Sequence, residues 1–203
     1  GQHNHQYLLN KNYHLLLLDK FLSKDGLELK ENIKKTIQKI VAPIIEMFSN
    51  ELNKSISFTF IGTKVEIKGV NCYDYFSNYE EYKSFVKKEK FDIGLAPIEI
   101  TEFYKSKYYN KYLEYTSIGV LGIYTNSEPY NLVIDNGKNG FLCDNEPYSW
   151  YLKIKEILED RFMINSMILN AKNDVKENFN FEKVTREILE LIPEITTYKS
   201  CHV

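Results

Sequence analysis

Two neighbouring segments carry most of the information about the fold: Phe91-Asp-Ile-Gly-Leu-Ala-Pro97 and Phe103-Tyr-Lys-Ser-Lys-Tyr-Tyr-Asn-Lys-Tyr-Leu-Glu-Tyr-Thr-Ser-Ile-Gly119. The first is a short apolar run that ends in a proline, which is typical of a buried β-strand. The second starts with polar residues and continues with helical spacing, so it predicts a loop and then a helix over Tyr108–Ile118. A strand, a loop and a helix in this order indicate an α/β fold.

The predicted helix has two chemically different faces. Lys107, Lys111 and Glu114 are spaced at i, i+4 and i+7, so they share one face. The opposite face can pack on a sheet, and it carries Tyr109, Tyr112, Leu113 and Thr116. Two cations and a carboxylate beside a strand end suit a phosphorylated, hydroxylated ligand, and we expect all three to be solvent-accessible. Spacing alone favours the alternative, a solvated helix surface with weak ion pairs.

The rest of the chain alternates between strand and helix patterns. The predicted strands are Tyr13–Asp19, Ile56–Gly62, Val65–Lys68, Phe91–Pro97, Val120–Thr125 and Phe141–Cys143. The other predicted helices are Leu27–Leu52 (interrupted or kinked at Pro43), Tyr79–Glu89, Tyr148–Leu158, Phe162–Glu177 and Phe181–Ile192. Because such strands pair in parallel through right-handed crossovers, the sequence predicts an α/β fold with a Rossmann-like parallel sheet flanked by helices. Residues 1–12 are assigned to an N-terminal tail or linker, and residues 13–203 to one domain with C-terminal helices.

In a parallel sheet of this kind the ligand lies beyond the carboxyl ends of the strands. Gly62, the loop after Pro97 and the loop after Thr125 should therefore lie on one rim. The last of these loops contains Ser127-Glu-Pro-Tyr130, which makes Glu128 and Tyr130 candidates for the same rim.

Composition excludes several classes of function. The chain has 203 residues, of which 43% are hydrophobic and 27% charged, as in ordinary globular proteins. The formal net charge of −2 gives no electrostatic case for a nucleic-acid partner. Arg161 and Arg186 are the only arginines, so lysines would have to bind any phosphate. Cys72, Cys143 and Cys201 lack metal-ligand spacing, and no apolar run is long enough for a transmembrane helix. We therefore expect a cytoplasmic protein with reduced thiols, no metal and no cofactor.

Five stretches occur in an order shared with a known family. They are Phe91–Pro97, Lys107 with Lys111-Tyr-Leu-Glu-Tyr115, Val120–Asn126, Glu128-Pro-Tyr130 with Ile134-Asp-Asn-Gly-Lys-Asn-Gly-Phe-Leu142, and Pro147-Tyr-Ser-Trp150. In that family they correspond to a strand, the donor loop and helix, the next strand, a turn with a hairpin, and a helix start. The segment Tyr79–Ile192 thus resembles the C-terminal, donor-binding domain of a retaining GT-B glycosyltransferase of the "glycosyl transferases group 1" family.

The resemblance implies that the domain binds a nucleotide-sugar donor. By this resemblance Glu114 accepts hydrogen bonds from the ribose diol, and Lys107 with the backbone amides near Ser106 binds the diphosphate. The residues expected to bind substrate are Lys105, Ser106, Lys107, Lys111, Glu114, Gly62, Glu128 and Tyr130. Lys111 has an alternative as an ion-pair partner of Glu114. No catalytic residue is identified.

The implied reaction is hexosyl transfer to a glycan or lipid-linked acceptor. In this family the acceptor is bound mostly by a second, N-terminal Rossmann-like domain, for which 203 residues leave no room. We therefore expect this chain to be one half of a GT-B enzyme, inactive alone, with peripheral membrane association of the full-length enzyme.

Two features depart from the family pattern. Ser106 stands where many members have the first of two glutamates. The first strand, His14–Leu18, is not followed by a clear glycine-rich turn, although Lys20 or Lys24 could supply the basic residue. These departures support a second hypothesis, a non-catalytic Rossmann-like module that binds a partner protein. A third is a sugar-nucleotide epimerase, which can share the architecture.

Overall fold

The computed structural model describes residues 12–18, 34–51, 55–62 and 64–191. These contain a six-stranded sheet in the order β3-β2-β1-β4-β5-β6, in which every neighbouring pair is parallel. The strands are β1 (Asn12–Leu18), β2 (Ser55–Ile61), β3 (Val70–Tyr73), β4 (Ile93–Ala96), β5 (Leu121–Thr125) and β6 (Phe141–Cys143). The predicted Rossmann-like α/β fold is confirmed.

Helices flank this sheet. They are α1 (Ala42–Ser49), α2 (Tyr79–Glu89), α3 (Glu102–Lys105), α4 (Asn110–Ile118), α5 (Pro147–Glu159), α6 (Arg161–Asn178) and α7 (Phe181–Leu191). A π-helical segment, Ile37–Val41, runs directly into α1. Apart from Asn12, the predicted tail lies outside the described residues, as do Lys20, Lys24 and the predicted start of the first helix.

Each central strand is buried on both faces, because helices cover both sides of a parallel sheet. Leu15 and Leu17 of β1 pack in the layer beneath α1 and α5, while Leu16 points into the layer beneath α2 and α4. All four residues of β4 and all five of β5 are buried. The strands are continuous apolar runs in the sequence because each contributes side chains to two hydrophobic layers, one on either face of the sheet.

The layer beneath α4 is rich in tyrosine. Tyr112 and Tyr115 of α4 and Tyr124 of β5 are among the largest fully buried side chains, and Tyr130 packs 4.9 Å from the Tyr124 ring. Gly94 and Gly122 make room for these rings, since a Cβ atom at residue 94 would lie 2.7 Å from the ring of Tyr115. The Tyr112 hydroxyl donates to Asp174 of α6 and accepts from the Asn139 side chain at 3.1 Å.

At the amino edge of the sheet an ion pair ties α6 to β4. Arg161 approaches Asp92 at 2.5 Å, and the other carboxylate oxygen of Asp92 accepts from the His14 backbone N–H at 3.0 Å. Tyr13 lies under the Arg161 guanidinium and donates to the Leu158 carbonyl at 3.0 Å. This cluster lies at the edge opposite to the one where a ligand is expected.

The predicted strand Val65–Lys68 is wrong. Residues 64–67 form no strand, and the pairing with β2 begins at Val70, after a turn in which Gly69 has a φ of 86°. Val65 and Ile67 still pack against the core from this non-strand segment, which is why their spacing mimics a strand. The helix α3 was not predicted; it is a single turn that is capped by the Thr101 side chain.

The irregularity predicted at Pro43 is present. Proline cannot donate a backbone hydrogen bond, and its ring clashes with the carbonyl four residues earlier in a regular helix. The preceding turn is widened to a π-helix, in which the Ala42 N–H donates to the Ile37 carbonyl.

We expect stability to fall steeply in alkali. Burial raises the pKa of Tyr82, Tyr112, Tyr115, Tyr124 and Tyr130 above the usual tyrosine value of 10.0. The unfolded chain therefore loses protons above a pH of about 10 that the folded protein retains, so the free energy of unfolding decreases as pH rises further. Each such tyrosine contributes a slope of about 1.4 kcal/mol per pH unit.

Urea unfolding at a series of pH values, with tyrosinate absorbance as a second signal, measures this slope. A free energy of unfolding that stays constant well above the ordinary tyrosine pKa would contradict the burial of these hydroxyls.

Candidate functional site

A cavity of about 800 Å³ opens at the carboxyl end of the sheet. Its floor is formed by the ends of three central strands, with Leu17, Phe60 and Leu95, and by Pro97 and Ile98, which follow β4. This is the rim at which α/β sheets of this kind bind their ligands. The volume lies within the range of small-molecule sites.

The floor is held in place by a buried hydrogen-bond network. Thr125, at the end of β5, is fully buried; its hydroxyl accepts from the Ile98 N–H at 2.9 Å and donates to the Asn145 side chain at 2.9 Å. The Asn145 amide in turn donates to the Ile98 carbonyl at 2.8 Å. Ile98 is therefore fixed through both of its backbone polar groups.

One wall of the cavity is α4, which contributes Lys111, Leu113, Glu114 and Ser117. The two carboxylate oxygens of Glu114 have different partners. One accepts from the Tyr82 hydroxyl at 3.2 Å, and the other lies 3.3 Å from Lys111 Nζ. The carboxylate is thus held between a cation on its own helix and a phenol on α2.

Lys107, Lys111 and Glu114 are partly exposed and line the cavity, but this face is less exposed than expected. The Glu114 side chain is only 10% exposed and that of Lys111 18%, because α2 packs against α4 and brings Tyr82 over the carboxylate. Side chains this shielded do not fit the alternative, an ordinary solvated helix surface. Tyr112 and Thr116 are buried, as predicted for the opposite face, and Tyr115 is buried with them. Leu113, predicted to lie on that face, instead lines the cavity beside Glu114.

Lys107 also lines the cavity, although it lies in the loop before α4 rather than on the helix. Its ammonium group lies 4.5 Å from the centre of the Phe103 ring and 5.0 Å from that of Tyr104. These aromatic contacts help to hold the ammonium group at the cavity.

Four of the residues expected to bind substrate do not line this cavity. Lys105 pairs with Glu102 at 2.8 Å, and the Ser106 hydroxyl donates to the Glu102 carbonyl at 2.8 Å. Glu128 is exposed in the loop after β5. Gly62 directly follows β2 with a φ of 106°, and its N–H donates to the Tyr73 carbonyl. The structure therefore brings together Lys107, Lys111, Glu114 and Tyr130, and leaves the other four outside.

Several cavity residues were missed by sequence reasoning. Besides Tyr130, four tyrosines line the cavity, and they come from α2, α3 and the loop before α4: Tyr79, Tyr82, Tyr104 and Tyr108. Their only signal in the sequence is compositional, since tyrosine accounts for 16 of the 203 residues. Aromatic rings of this kind can stack on a base or a sugar ring.

Two of the cavity phenols, those of Tyr82 and Tyr130, are proton donors over the ordinary pH range. Burial, and then the negative charge of Glu114, raise the pKa of Tyr82 above its usual value. Burial and the same carboxylate raise the pKa of Tyr130. Within the described ranges no cluster of three His, Cys, Asp or Glu side chains could hold a metal ion, and no described helix is long and apolar enough to cross a bilayer.

The sequence matches no protein-family model and no curated protein. Solved structures do match. The C-terminal domain of a glycosyl transferase group 1 family protein, LpcC, from Francisella tularensis is 14% identical with a TM-score of 0.57, over 83% of this chain and 87% of that one. A glycosyltransferase from Rickettsia africae is 16% identical with a TM-score of 0.61, over 95% of this chain and 50% of that one.

This chain has the fold of a GT-B glycosyltransferase domain. Anabaena HepE, solved with UDP and glucose, has the same fold at 11% identity and a TM-score of 0.61, over 94% of this chain and 50% of that one. The predicted resemblance is thereby confirmed at the level of the fold. This chain spans about half the length of the Rickettsia and Anabaena chains.

We expect Thr125→Val to destabilise the domain by about 1–3 kcal/mol, because the Ile98 N–H loses its acceptor and the Asn145 side chain loses a donor. Urea unfolding measures the change. Thr185→Val on α7 is the control, with an expected change within about 0.5 kcal/mol. Equal effects of the two substitutions would show that the network does not hold the cavity floor.

Proposed function

We propose that this chain is the donor-binding half of a glycosyltransferase, which moves a sugar from a nucleotide-sugar donor to a glycan or lipid-linked acceptor. The observation that carries the proposal is the enclosed Glu114 carboxylate in a cavity at the carboxyl rim, with Lys107 and Lys111 on the same cavity. The GT-B fold supports it, and so does the UDP bound to Anabaena HepE.

Each part of such a donor finds a matching group in the cavity. The ribose diol presents two hydroxyl donors, and a carboxylate such as Glu114 can accept from both. The diphosphate carries negative charge, which Lys107 and Lys111 can balance. Lys111 would then be shared between the phosphate and Glu114, with which it already pairs. The tyrosine rings provide surfaces for the base and the sugar.

The same cations would serve the transfer step. Cleavage of the glycosidic bond leaves a nucleoside diphosphate, on which negative charge develops in the transition state. Ammonium groups placed at that position stabilise the charge without further reorganisation. We assign no catalytic acid, base or nucleophile. A cytoplasmic location and peripheral membrane association of a full-length enzyme stay predictions.

A nucleoside diphosphate should bind, and Glu114→Gln should weaken binding by about one to two orders of magnitude. Hydrogen bonds to a charged group contribute about 1.5–3 kcal/mol, and glutamine keeps the shape but loses the charge. Lys107→Ala should also weaken binding, and more so at low salt, because its partner is phosphate. Calorimetric titration with ADP, CDP, GDP and UDP measures these affinities.

Lys172→Ala and Glu177→Gln on α6 are matched controls, since both residues are exposed and outside the cavity. Absence of binding by the folded wild-type chain would favour the alternative of a non-catalytic interaction module. Binding that Glu114→Gln leaves unchanged would refute the ribose assignment while the fold assignment stands.

We further propose that the 203-residue chain binds a donor without transferring its sugar. The acceptor would be bound by a further domain, since this chain spans half of the Rickettsia glycosyltransferase chain. Incubation of the purified chain with a nucleotide sugar and an oligosaccharide acceptor should release no nucleoside diphosphate above background. Sustained turnover would show that this domain binds the acceptor as well.

A further inference from the structure

The Tyr130 side chain combines deep burial with a hydroxyl group that has no hydrogen bond to the protein. The residue is only 5% exposed, and it lines the cavity. Within the described part of the chain, its hydroxyl group makes no hydrogen bond. The hydroxyl oxygen is nevertheless not sealed off by protein atoms, so it is open to the cavity. Buried polar groups are nearly always hydrogen-bonded, which makes a ligand the expected partner of this one.

We propose that the Tyr130 hydroxyl group donates a hydrogen bond to the α-phosphate, the phosphate group next to the ribose of the bound nucleotide. The inference rests on the proposed function, and it adds a chemical role for one more side chain of the same cavity. Sequence reasoning placed Tyr130 on the rim and assigned it no contact with a particular part of the ligand.

The neighbours of Tyr130 indicate which part of the ligand it meets. Burial raises the pKa of its phenol most, and the Glu114 carboxylate and the Tyr104 phenol raise it further, so both groups are close to it. The Tyr104 ring in turn lies 5.0 Å from the ammonium group of Lys107. Tyr130 is thus a neighbour of Glu114, to which the ribose is assigned, and of the aromatic ring beside Lys107, to which the diphosphate is assigned. The group that joins these two parts of a nucleoside diphosphate is the α-phosphate.

A neutral phenol is a suitable donor for this phosphate. The raised pKa keeps Tyr130 protonated over the ordinary pH range, so its hydroxyl group can donate to a phosphate oxygen. Hydrogen bonds to an ionised acceptor are shorter and stronger than those between neutral groups. The only arginines of the chain, Arg161 and Arg186, lie on α6 and α7 and do not line the cavity. Phosphate recognition there must therefore use lysines and neutral donors.

The phenol is fixed through both its ring and its backbone. The ring packs 4.9 Å from that of Tyr124, which is itself fully buried. Tyr130 begins a short helical turn, in which its N–H donates to the Ser127 carbonyl at 2.9 Å and its carbonyl accepts from the Ile134 N–H at 2.9 Å. The substitution Tyr130→Phe keeps these contacts and removes only the hydroxyl group, so it isolates the proposed hydrogen bond.

The test compares three ligands that share one base. They are whichever of ADP, CDP, GDP and UDP binds most tightly to the wild type, the corresponding monophosphate and the corresponding nucleoside. Tyr130→Phe should weaken binding of the diphosphate and of the monophosphate by about tenfold each, which equals about 1.4 kcal/mol. Binding of the nucleoside, which has no phosphate, should change by less than about twofold. Calorimetric titration measures the diphosphate, and competition against it measures the two weaker ligands.

Salt dependence and stability separate this role from an ionic or a structural one. Because the phenol is neutral, the loss caused by Tyr130→Phe should be similar at low and high salt, whereas the loss caused by Lys107→Ala should shrink at high salt. The midpoint of urea unfolding at neutral pH should not fall, since the hydroxyl group makes no hydrogen bond within the described structure. Tyr148→Phe on α5, where the residue is 62% exposed and outside the cavity, is the matched control and should behave as the wild type.

Each outcome has one meaning. Equal affinity of the wild type and folded Tyr130→Phe for the diphosphate would overturn the inference and leave the proposed function intact. A loss confined to the diphosphate, or a loss that extends to the nucleoside, would also overturn it, because the contact would then be to the terminal phosphate or to the ribose or base. So would a wild type that binds the monophosphate no more tightly than the nucleoside. A lower unfolding midpoint would assign the hydroxyl group a structural role instead. A wild-type chain that binds none of the four diphosphates would overturn the proposed function, and the inference with it.

Discussion

The position of α4, and of the cavity beside it, depends on one close contact between Tyr115 and Gly94. The tyrosine ring lies directly against the backbone of β4, at a distance that leaves no space for a Cβ atom at residue 94. Its hydroxyl also donates to the Leu95 carbonyl at 2.7 Å. The position of α4 along the direction of β4 is therefore fixed, as well as its distance from β4. Because Glu114 directly precedes Tyr115, the same contact determines where the carboxylate lies at the strand ends.

Enclosing that carboxylate has an electrostatic cost. A charge removed from water is unfavourable unless it is paired and hydrogen-bonded, and Lys111 and Tyr82 provide these two partners for Glu114. Such an arrangement adds little net stability, which must come from the two apolar layers of the sheet. The polar contacts that satisfy Glu114 are instead suited to being shared with a ligand that carries hydroxyl groups and phosphate.

Most of the fold could be predicted because its strands are buried on both faces. The apolar runs of β1, β4 and β5 are too short for helices, so they indicate strands. Because helical patterns separate these runs in the sequence, the strands are expected to pair in parallel. The prediction failed at Val65–Lys68, where half-buried apolar residues alternate with charged ones in a segment that is not a strand. Alternation reports which side chains are buried, and it does not report whether the backbone pairs with a neighbouring strand.

By itself the sequence determined the α/β class, the parallel sheet and the grouping of two lysines with a carboxylate beside one strand end. Tertiary structure alone decided which of these side chains share a cavity. Lys107 lines it and Lys105 does not, and Tyr82 reaches Glu114 across 32 residues of sequence. Helical periodicity fixes the direction of each side chain around its own helix axis. Which neighbouring helix meets that direction depends on how α2 and α4 pack on the sheet, and no local spacing in the sequence records that packing.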